Sequence, residues 1–440
     1  MKRLFVASLA LVLAGCASSE PPSSSTLSRM GTGGVSVSEN YDPQTHFDPS
    51  HPLTVEACVK LALGSDLTAR SFEARLKAAH GAAEAAASWP NPTIEYNVED
   101  IGNVLGRQRQ LLQQEIVHYP IFTWWTKGLE ADVARADEAR AAASVEDDRR
   151  LLRLEIGRAY YELLASDEAV KNEAEAVEIA QRLAEATQKR LALGDASRLD
   201  AQRAKAEALD ARRDLAKAVR DRTVDGISFA LALGAERPVP VTLASGWPGE
   251  LPSEVATAST ESLVARALEG RPDVRESEAA ALKATKALSL EERKALPLTD
   301  WQVAGGASEG PEGYGAIFNL QATLPIFDLN GGNKTRARAE LESALTDLEK
   351  TRRTVAFEVE SALVSFCRAR DSLEQFAVPI RDARQENLDA SRRLFTAGEV
   401  SYVDLLQAQR DAVAARRGLV DAEKESALAR WRLVIALGRE

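Results

Sequence analysis

Aromatic residues are scarce in this chain of 440 residues, in which Phe, Trp and Tyr together make up only 5%. So few large rings disfavour a dense globular core. The abundance of Ala, Leu, Arg, Glu and Asp favours long helices packed through small side chains. The sequence also lacks a nucleophile with a base, a set of metal ligands and a phosphate loop. We therefore expect no enzymatic activity, no cofactor and no resident metal, and the net charge of −11 argues against nucleic acid as a partner.

The first 15 residues are expected to be an export signal. Two basic residues precede the apolar run 4–13, which is too short for a stable membrane-spanning helix. The run closes in Leu13-Ala14-Gly15-Cys16 and so resembles a bacterial lipoprotein signal. That resemblance implies a lipidated (palmitate-bearing) Cys16, and Ala17 after it favours the outer membrane. The alternative is an ordinary secretory signal with an incidental cysteine.

Residues 16–52 are rich in Ser, Pro and Gly and are expected to form a tether between lipid anchor and body. His46 and His51 lie in this segment, and we interpret them as solvated loop residues. Two cysteines remain in the body, Cys58 and Cys367, in different halves and on predicted helices. We expect both to be buried free thiols, although an exported chain also permits a disulfide.

The body is expected to contain one structural unit twice, over residues 53–240 and 241–440. The segment Gly194-Asp195-Ala196-Ser197-Arg198-Leu199-Asp200 returns as Gly398-Glu399-Val400-Ser401-Tyr402-Val403-Asp404 at an offset of 204 positions. Each copy has a glycine suited to ending a helix in the left-handed conformation, followed by a Ser-x-x-Asp that can cap the next helix. The sequence thus predicts a helix, a tight turn and a helix, in duplicate.

Four strands are predicted by alternation of apolar and polar residues, over 93–99, 110–119, 301–307 and 316–324. Long helices are predicted over 129–193 and 333–396, the second kinked at Pro379. An apolar stripe on the second comprises Leu341, Leu345, Leu348, Val355, Val359, Leu363 and Phe366.

Helix lengths predict how these parts assemble. Shorter helices over 198–233 and 402–437, stacked end to end on opening helices over 66–88 and 273–296, match the long helices in length. The body would then be a pillar of roughly 100 Å, with strands at one end and the two tight turns at the other.

Four strands are too few to close a membrane barrel, so closure requires further chains. Lipid-facing positions would be Ile94, Tyr96, Val98, Phe318 and Leu320. Lumen-facing positions would be Glu95, Asn97, Glu99, Asn319 and Gln321. The alternative is a soluble antiparallel sheet packed on helices.

These features together resemble the TolC-type outer-membrane efflux channels. The resemblance rests on the lipoprotein signal, two strand pairs ending in Pro-Ile-Phe, the segment Phe327-Asp328-Leu329-Asn330-Gly331-Gly332-Asn333 and the doubled turn. It covers nearly all of residues 53–438. The chain is similar in particular to the lipoprotein outer components of tripartite efflux pumps in the heavy-metal cation branch. The segment 123–128 departs from that branch, in which a glycine-rich turn is usual.

The resemblance implies a mainly α fold with a small membrane β-barrel. Three chains with four strands each would form a twelve-stranded barrel above a periplasmic helical tunnel, lipid-anchored in the outer membrane. The tip would dock onto a periplasmic adaptor (membrane fusion protein) fed by an inner-membrane, proton-driven transporter of the RND type. The chain would be a passive exit duct. Alternatives are an outer channel for drug efflux or type I protein secretion, a periplasmic adaptor, or a structural coiled-coil lipoprotein.

The resemblance also assigns roles to the tip. Acidic side chains just past the turn narrow the periplasmic mouth in this family, and Asp404 and Asp200 match that position. A second acidic ring is not reproduced, because Gln407 occupies its place. Both aspartates are also capping partners of Ser401 and Ser197, so capping alone and capping with gating both remain open. The turns at Gly194, Ser197, Gly398 and Ser401 are candidates for adaptor docking.

Overall fold

The computed structural model of the chain describes residues 52–101, 110–120, 124–237, 240–248, 251, 255, 257–296, 301–310, 313–322 and 326–438. The predicted export signal, the tether up to residue 51 and the lipidation candidate Cys16 lie outside these residues. Within the described parts the chain is mostly helical, with four strands, as predicted.

The first half follows the predicted order. It comprises α1 (Val55–Leu63), α2 (Asp66–Ala87), β1 (Thr93–Ile101), β2 (Gln110–Pro120), α3 (Trp124–Leu193) and α4 (Arg198–Ala232). Thr54 caps α1, its hydroxyl accepting a hydrogen bond from the Ala57 amide at 3.3 Å. Helix α3 starts five residues earlier than predicted, because the segment 124–128 forms its first turn. Its 70 residues span roughly 105 Å.

The second half repeats this order. It comprises α5 (Thr260–Gly270), α6 (Pro272–Lys294), β3 (Trp301–Gly310), β4 (Gly313–Ala322), α7 (Gly331–Ser372), α8 (Val378–Ala397) and α9 (Tyr402–Ala436). Strand β4 begins three residues before its predicted start, and the predicted strand residues 323 and 324 lie outside the described residues. Pro379 does not break the long helix: one π-helical turn, Leu373–Ala377, precedes it and joins α7 to α8. In this turn the Val378 amide donates to the Leu373 carbonyl, five residues back, and the helix continues through Pro379.

The short helices stack end to end as the length argument predicted. Gly234 follows α4 and lies so close to the start of α2 that a Cβ there would sit 2.9 Å from the Ser65 hydroxyl oxygen. In the second half Gly438 follows α9 and lies against Arg271, which precedes α6. Because each junction aligns two shorter helices beside one long helix, α3 packs along both α2 and α4.

The four strands form one antiparallel sheet in the order β1-β2-β3-β4. The hairpins β1–β2 and β3–β4 are joined through β2 and β3, whose register pairs Glu115 with Ala307 and His118 with Ala304. Strands β1 and β4 are therefore the two edges of the sheet. The division of the body into domains at residue 240 stays a prediction.

The core lies along the helices. A cluster of buried side chains joins α5, α6, α7 and α9 through residues such as Leu263, Val274, Val355, Val359 and Leu433. The predicted stripe on α7 is only partly correct, because Val355, Val359 and Phe366 are buried whereas Leu345 is 51% exposed. No helix among the described residues combines the length and apolarity needed to cross a membrane.

Candidate functional site

The second tip turn lies between α8 and α9. Gly398 has φ +80°, and the next amide, of Glu399, donates to the Leu394 carbonyl at 2.9 Å, which closes α8. Glycine adopts this left-handed conformation without strain, whereas most other residues do not. Ser401 then caps α9: its hydroxyl accepts from the Asp404 amide at 3.3 Å, and its own amide donates to Asp404 Oδ2 at 3.1 Å. This is the reciprocal capping box that the sequence predicted.

The first tip turn, between α3 and α4, differs in detail. Gly194 has φ +84°, and the Ser197 hydroxyl accepts from the Asp200 amide at 3.0 Å. The hydroxyl also donates to Asp200 Oδ2 at 2.7 Å, and Arg203 lies 3.7 Å from the same carboxylate. Asp200 thus has a cationic neighbour on its own helix, whereas Asp404 has none among the described residues.

Capping also sets the charge of Asp404. The Ser401 hydroxyl donates to its carboxylate at 2.6 Å, and this bond together with the Ser401 amide lowers the pKa of Asp404 below its usual value. The side chain is exposed to solvent in the single chain. A capped Asp404 therefore remains ionised at neutral pH, and it presents a negative charge at the tip.

Tyr402, which the sequence analysis did not single out, joins the two hairpins at the tip. We call α3 with α4 the first hairpin, and α7, α8 and α9 the second. The Tyr402 ring is 6% exposed and packs with Leu406 against Ala204 of the first hairpin. It contacts the Phe395 ring edge-on, at a centroid distance of 6.3 Å. The tyrosine hydroxyl is buried without a hydrogen-bond partner among the described residues, and burial raises its pKa to about 12.

Ion pairs continue this junction behind the tip. Arg410 of α9 pairs with Glu207 of α4, and Arg417 reaches both Glu173 of α3 and Asp214 of α4. Hydrogen bonding to Glu173 raises the pKa of Arg417 further above its usual value. These partners lie 203 to 244 positions apart, so no local sequence pattern identifies them.

The strand register gathers the predicted lumen-facing residues on one face of the sheet. Glu95 lies opposite Ile116 and Asn97 opposite Gln114 in β2, while Asn319 lies opposite Ala304 and Gln321 opposite Gln302 in β3. Glu99 has the matching backbone position, and its side chain lies outside the described residues. The opposite face carries the predicted lipid-facing residues Ile94, Tyr96, Val98, Phe318 and Leu320, all of them half or more exposed.

Two polar residues of β2 were not predicted. His118 lies on the same face as Glu95, and its Nε2 is 2.6 Å from Glu95 Oε2. Glu115 pairs with Tyr96 and so lies on the face that carries the predicted lipid-facing residues. Alternation in β2 is weaker than in β1, and for this reason the sequence did not assign its faces.

The two described cysteines are free thiols. Cys58 is fully buried in α1, and burial raises its pKa to about 12. Cys367 is only partly buried, so the expectation that both are buried is wrong for this residue. Among the described residues, no three His, Cys, Asp or Glu side chains are grouped so as to hold a metal ion.

Known proteins resemble this chain in both sequence and fold. The model of the family described as outer membrane efflux protein matches residues 58–235 and 263–439. The cobalt-zinc-cadmium resistance protein CzcC of Cupriavidus metallidurans is 26% identical over 367 residues, which are 83% of this chain and 85% of that protein.

Solved structures show the same fold. The structure of CusC aligns with a TM-score of 0.76 at 18% identity, over 92% of this chain and 96% of that chain. The outer membrane protein VceC of Vibrio cholerae aligns with a TM-score of 0.72 at 18% identity, over 88% and 96% of the two chains.

Proposed function

Because this chain belongs to the outer membrane efflux protein family, we propose that three copies close a barrel and a helical duct through which substrates leave the cell envelope. The single observation that supports this best is the four-stranded sheet with two unpaired edges and with exposed apolar side chains along one face. Unpaired edges are not tolerated in lipid. Strand β4 of one copy runs antiparallel to β1 of the next when the order β1-β2-β3-β4 is repeated around a ring.

The two faces of the sheet then have different surroundings. Ile94, Tyr96 and Phe318 face lipid, while Glu95, Asn97, Asn319 and Gln321 line the water-filled lumen. The two tip turns of each copy lie at the C-terminal ends of α3 and α8, far from the strands. There they surround the periplasmic mouth. Asp404 contributes one ionised carboxylate per copy, and Asp200 contributes another that Arg203 partly neutralises.

The partners follow from this placement. The turns at Gly194, Ser197, Gly398 and Ser401 dock onto a periplasmic adaptor, which receives substrate from an inner-membrane, proton-driven transporter of the RND type. A lipid on Cys16, the first residue after the export signal, anchors the chain in the outer membrane. As a passive duct of an efflux family, the chain performs no chemistry on its substrate.

Conductance of the purified full chain in a planar bilayer tests the proposal. We expect discrete channel openings, together with a trimer mass in detergent. A stable monomer that never conducts would overturn the closed duct and would favour a coiled-coil lipoprotein instead.

We further propose divalent heavy-metal cations as the cargo. The supporting observation is the 26% identity to a cobalt-zinc-cadmium resistance protein over most of both chains. Anionic carboxylates at the mouth are compatible with passing cations. A strain without the gene distinguishes this cargo from the alternatives. It is challenged separately with cobalt, zinc and cadmium salts and with drugs, and its protein secretion is measured. Sensitivity to drugs alone would contradict it.

A further inference from the structure

One end of the sheet continues directly into the helices. Strand β1 begins at Thr93, shortly after α2 ends, and β2 ends at Pro120, shortly before α3 begins. His118 pairs with Thr93, so it lies at this end of the sheet. In the proposed trimer this is the level at which the helical duct opens into the barrel, and cargo that leaves the duct passes it.

A histidine and a carboxylate face each other here, on the proposed lumen face. His118 Nε2 lies 2.6 Å from Glu95 Oε2, and the two side chains are 22% and 45% exposed. The other carboxylate oxygen, Oε1, accepts a hydrogen bond from the Asn97 amide at 2.7 Å. Asn97 therefore orients the carboxylate of Glu95 and leaves its second oxygen for the histidine.

The ring nitrogen that faces Glu95 is not satisfied by this contact. Nε2 of His118 is shielded from solvent and has no aligned hydrogen-bond partner among the described residues, although the carboxylate oxygen is so near. In a neutral imidazole one ring nitrogen carries a lone pair, as carboxylate oxygens do. Two such atoms repel each other unless a cation lies between them. The pair is therefore a place for a proton or for a metal ion.

The two ligand types select among metals. An imidazole nitrogen with a carboxylate oxygen suits Zn²⁺ and similar divalent cations, whereas Mg²⁺ prefers oxygen ligands alone. Bonds of about 2.0–2.2 Å to a zinc ion would separate the nitrogen from the oxygen by about 3.0–3.4 Å. The observed separation of 2.6 Å must then widen by only about 0.4–0.8 Å. Glu95 is nearly half exposed, so a small rotation of its side chain provides this room.

The neighbouring strands add no competing charge at this place. Thr93 of β1 and Ala304 of β3 lie opposite His118, and the next pair toward the helices joins Gln302 with Gln321. Within the described residues of β1 and β3, Glu95 is the one carboxylate beside His118. Two protein ligands leave the other coordination positions to water. Weak binding of this kind allows an ion to enter a pore and also to leave it.

We infer that His118 and Glu95 form a transit site that briefly coordinates divalent heavy-metal cations as they enter the barrel, with Asn97 as the positioning residue. The inference rests on the proposed duct and its cation cargo, and it names the side chains that the cargo contacts. Three copies place three such pairs at one level of the lumen.

Single-channel recording of the full-length protein with ZnCl₂ tests the site. His118→Gln keeps a side chain that can donate to Glu95 but removes the imidazole, and His80→Gln is the matched control, since His80 lies beside Glu138 on the helical wall. We expect Zn²⁺ to interrupt the wild-type current, with a half-blocking concentration at least ten times higher in His118→Gln and unchanged in His80→Gln. Block by Mg²⁺ should be the same in all three. Equal Zn²⁺ block in wild type and His118→Gln would overturn the inference.

A restored ligand provides a second measurement. His118→Cys replaces the imidazole by a thiolate, which binds soft metals, and should recover a block by CdCl₂ that His118→Gln lacks. Failure to recover it would contradict direct coordination.

Calorimetry with ZnCl₂ separates this inference from the duct. We expect His118→Gln to lose one bound ion per chain, whether or not the chain trimerises. If the wild type conducts and His118→Gln does not change the Zn²⁺ block, only the transit site fails. If the chain neither trimerises nor conducts, the duct fails, and unchanged zinc binding in His118→Gln would then refute the site as well.

Discussion

Arg417 of α9 holds the carboxylate of Glu173 on α3 through two hydrogen bonds, of 2.5 Å from Nε and 2.7 Å from Nη2. Glu173 is only 5% exposed, whereas the Arg417 side chain is 46% exposed. A buried carboxylate of the first hairpin therefore depends on a cation of the second.

This asymmetry predicts unequal effects of removing the two partners. Arg417→Ala leaves Glu173 buried without its main cation, and we expect a loss of about 2 kcal/mol in unfolding free energy, at the low end for a buried pair because Arg417 is partly solvated. Glu173→Gln leaves a solvated arginine and should cost less than half as much. Urea unfolding of both variants in lipid vesicles measures the difference, and equal losses would contradict the account.

Asp404 should make the stability of the tip depend on pH in one direction. Its pKa is lowered in the folded chain, so its capping contribution is complete above the ordinary aspartate pKa of about 4 and is lost as the pH falls through the lowered value. Asp404→Asn should remove this dependence. The test compares unfolding of the two proteins at pH 7 and pH 3, and a wild-type protein that gains stability relative to the variant on acidification would refute it.

The proposed gate role of Asp404 has its own readout. Replacement by asparagine removes one ionised carboxylate from each of three copies and should weaken block by multivalent cations in single-channel recordings. Asp200→Asn is the matched control and should have a smaller effect, because Arg203 already lies near that carboxylate. Identical recordings from wild type and Asp404→Asn would leave Asp404 as a helix cap only.

Gly398 should be required for docking rather than for assembly. A Cβ at this position meets no atom of the chain within 4 Å, so the cost of Gly398→Val comes from its φ of +80° alone and is about 1–2 kcal/mol locally. We expect lost resistance with an intact trimer. Gly398→Asn, which tolerates this conformation, should retain resistance. Full resistance in the valine variant would rule out docking through this turn.

A positive charge introduced at one of two neighbouring residues of β4 should impair assembly, and at the other it should not. Phe318→Lys places an ammonium group on the proposed lipid face and should destabilise the assembled protein by about 2–4 kcal/mol per chain near the bilayer centre. Asn319→Lys, one residue further on the other face, should assemble normally and shift ion selectivity toward anions. Folding into lipid vesicles and reversal potentials measure the two effects. Normal insertion of the Phe318 variant would reverse the assignment of faces.

The match over both repeats confirms the family that the sequence motifs indicated, and with it the outer-membrane efflux function and the fold class. The strands were predictable because alternation is a local property, and helix ends because Gly, Ser and Asp act within four residues. The predicted starts of α3 and β4 were off by five and three residues. The roles of Asp404, Asp200 and the lumen-facing residues stay predictions.

The sequence by itself determined the repeat, the helices and strands, the tip turns and the end-to-end stacking, since each depends on residues close in the chain or on helix length. Only the tertiary structure decided which side chains meet across the hairpins. The contacts of Tyr402 with Ala204 and of Arg417 with Glu173 join positions far apart in sequence. Such contacts depend on how helices rotate about their axes when packed, and a 3.6-residue period fixes an apolar stripe without fixing its partner.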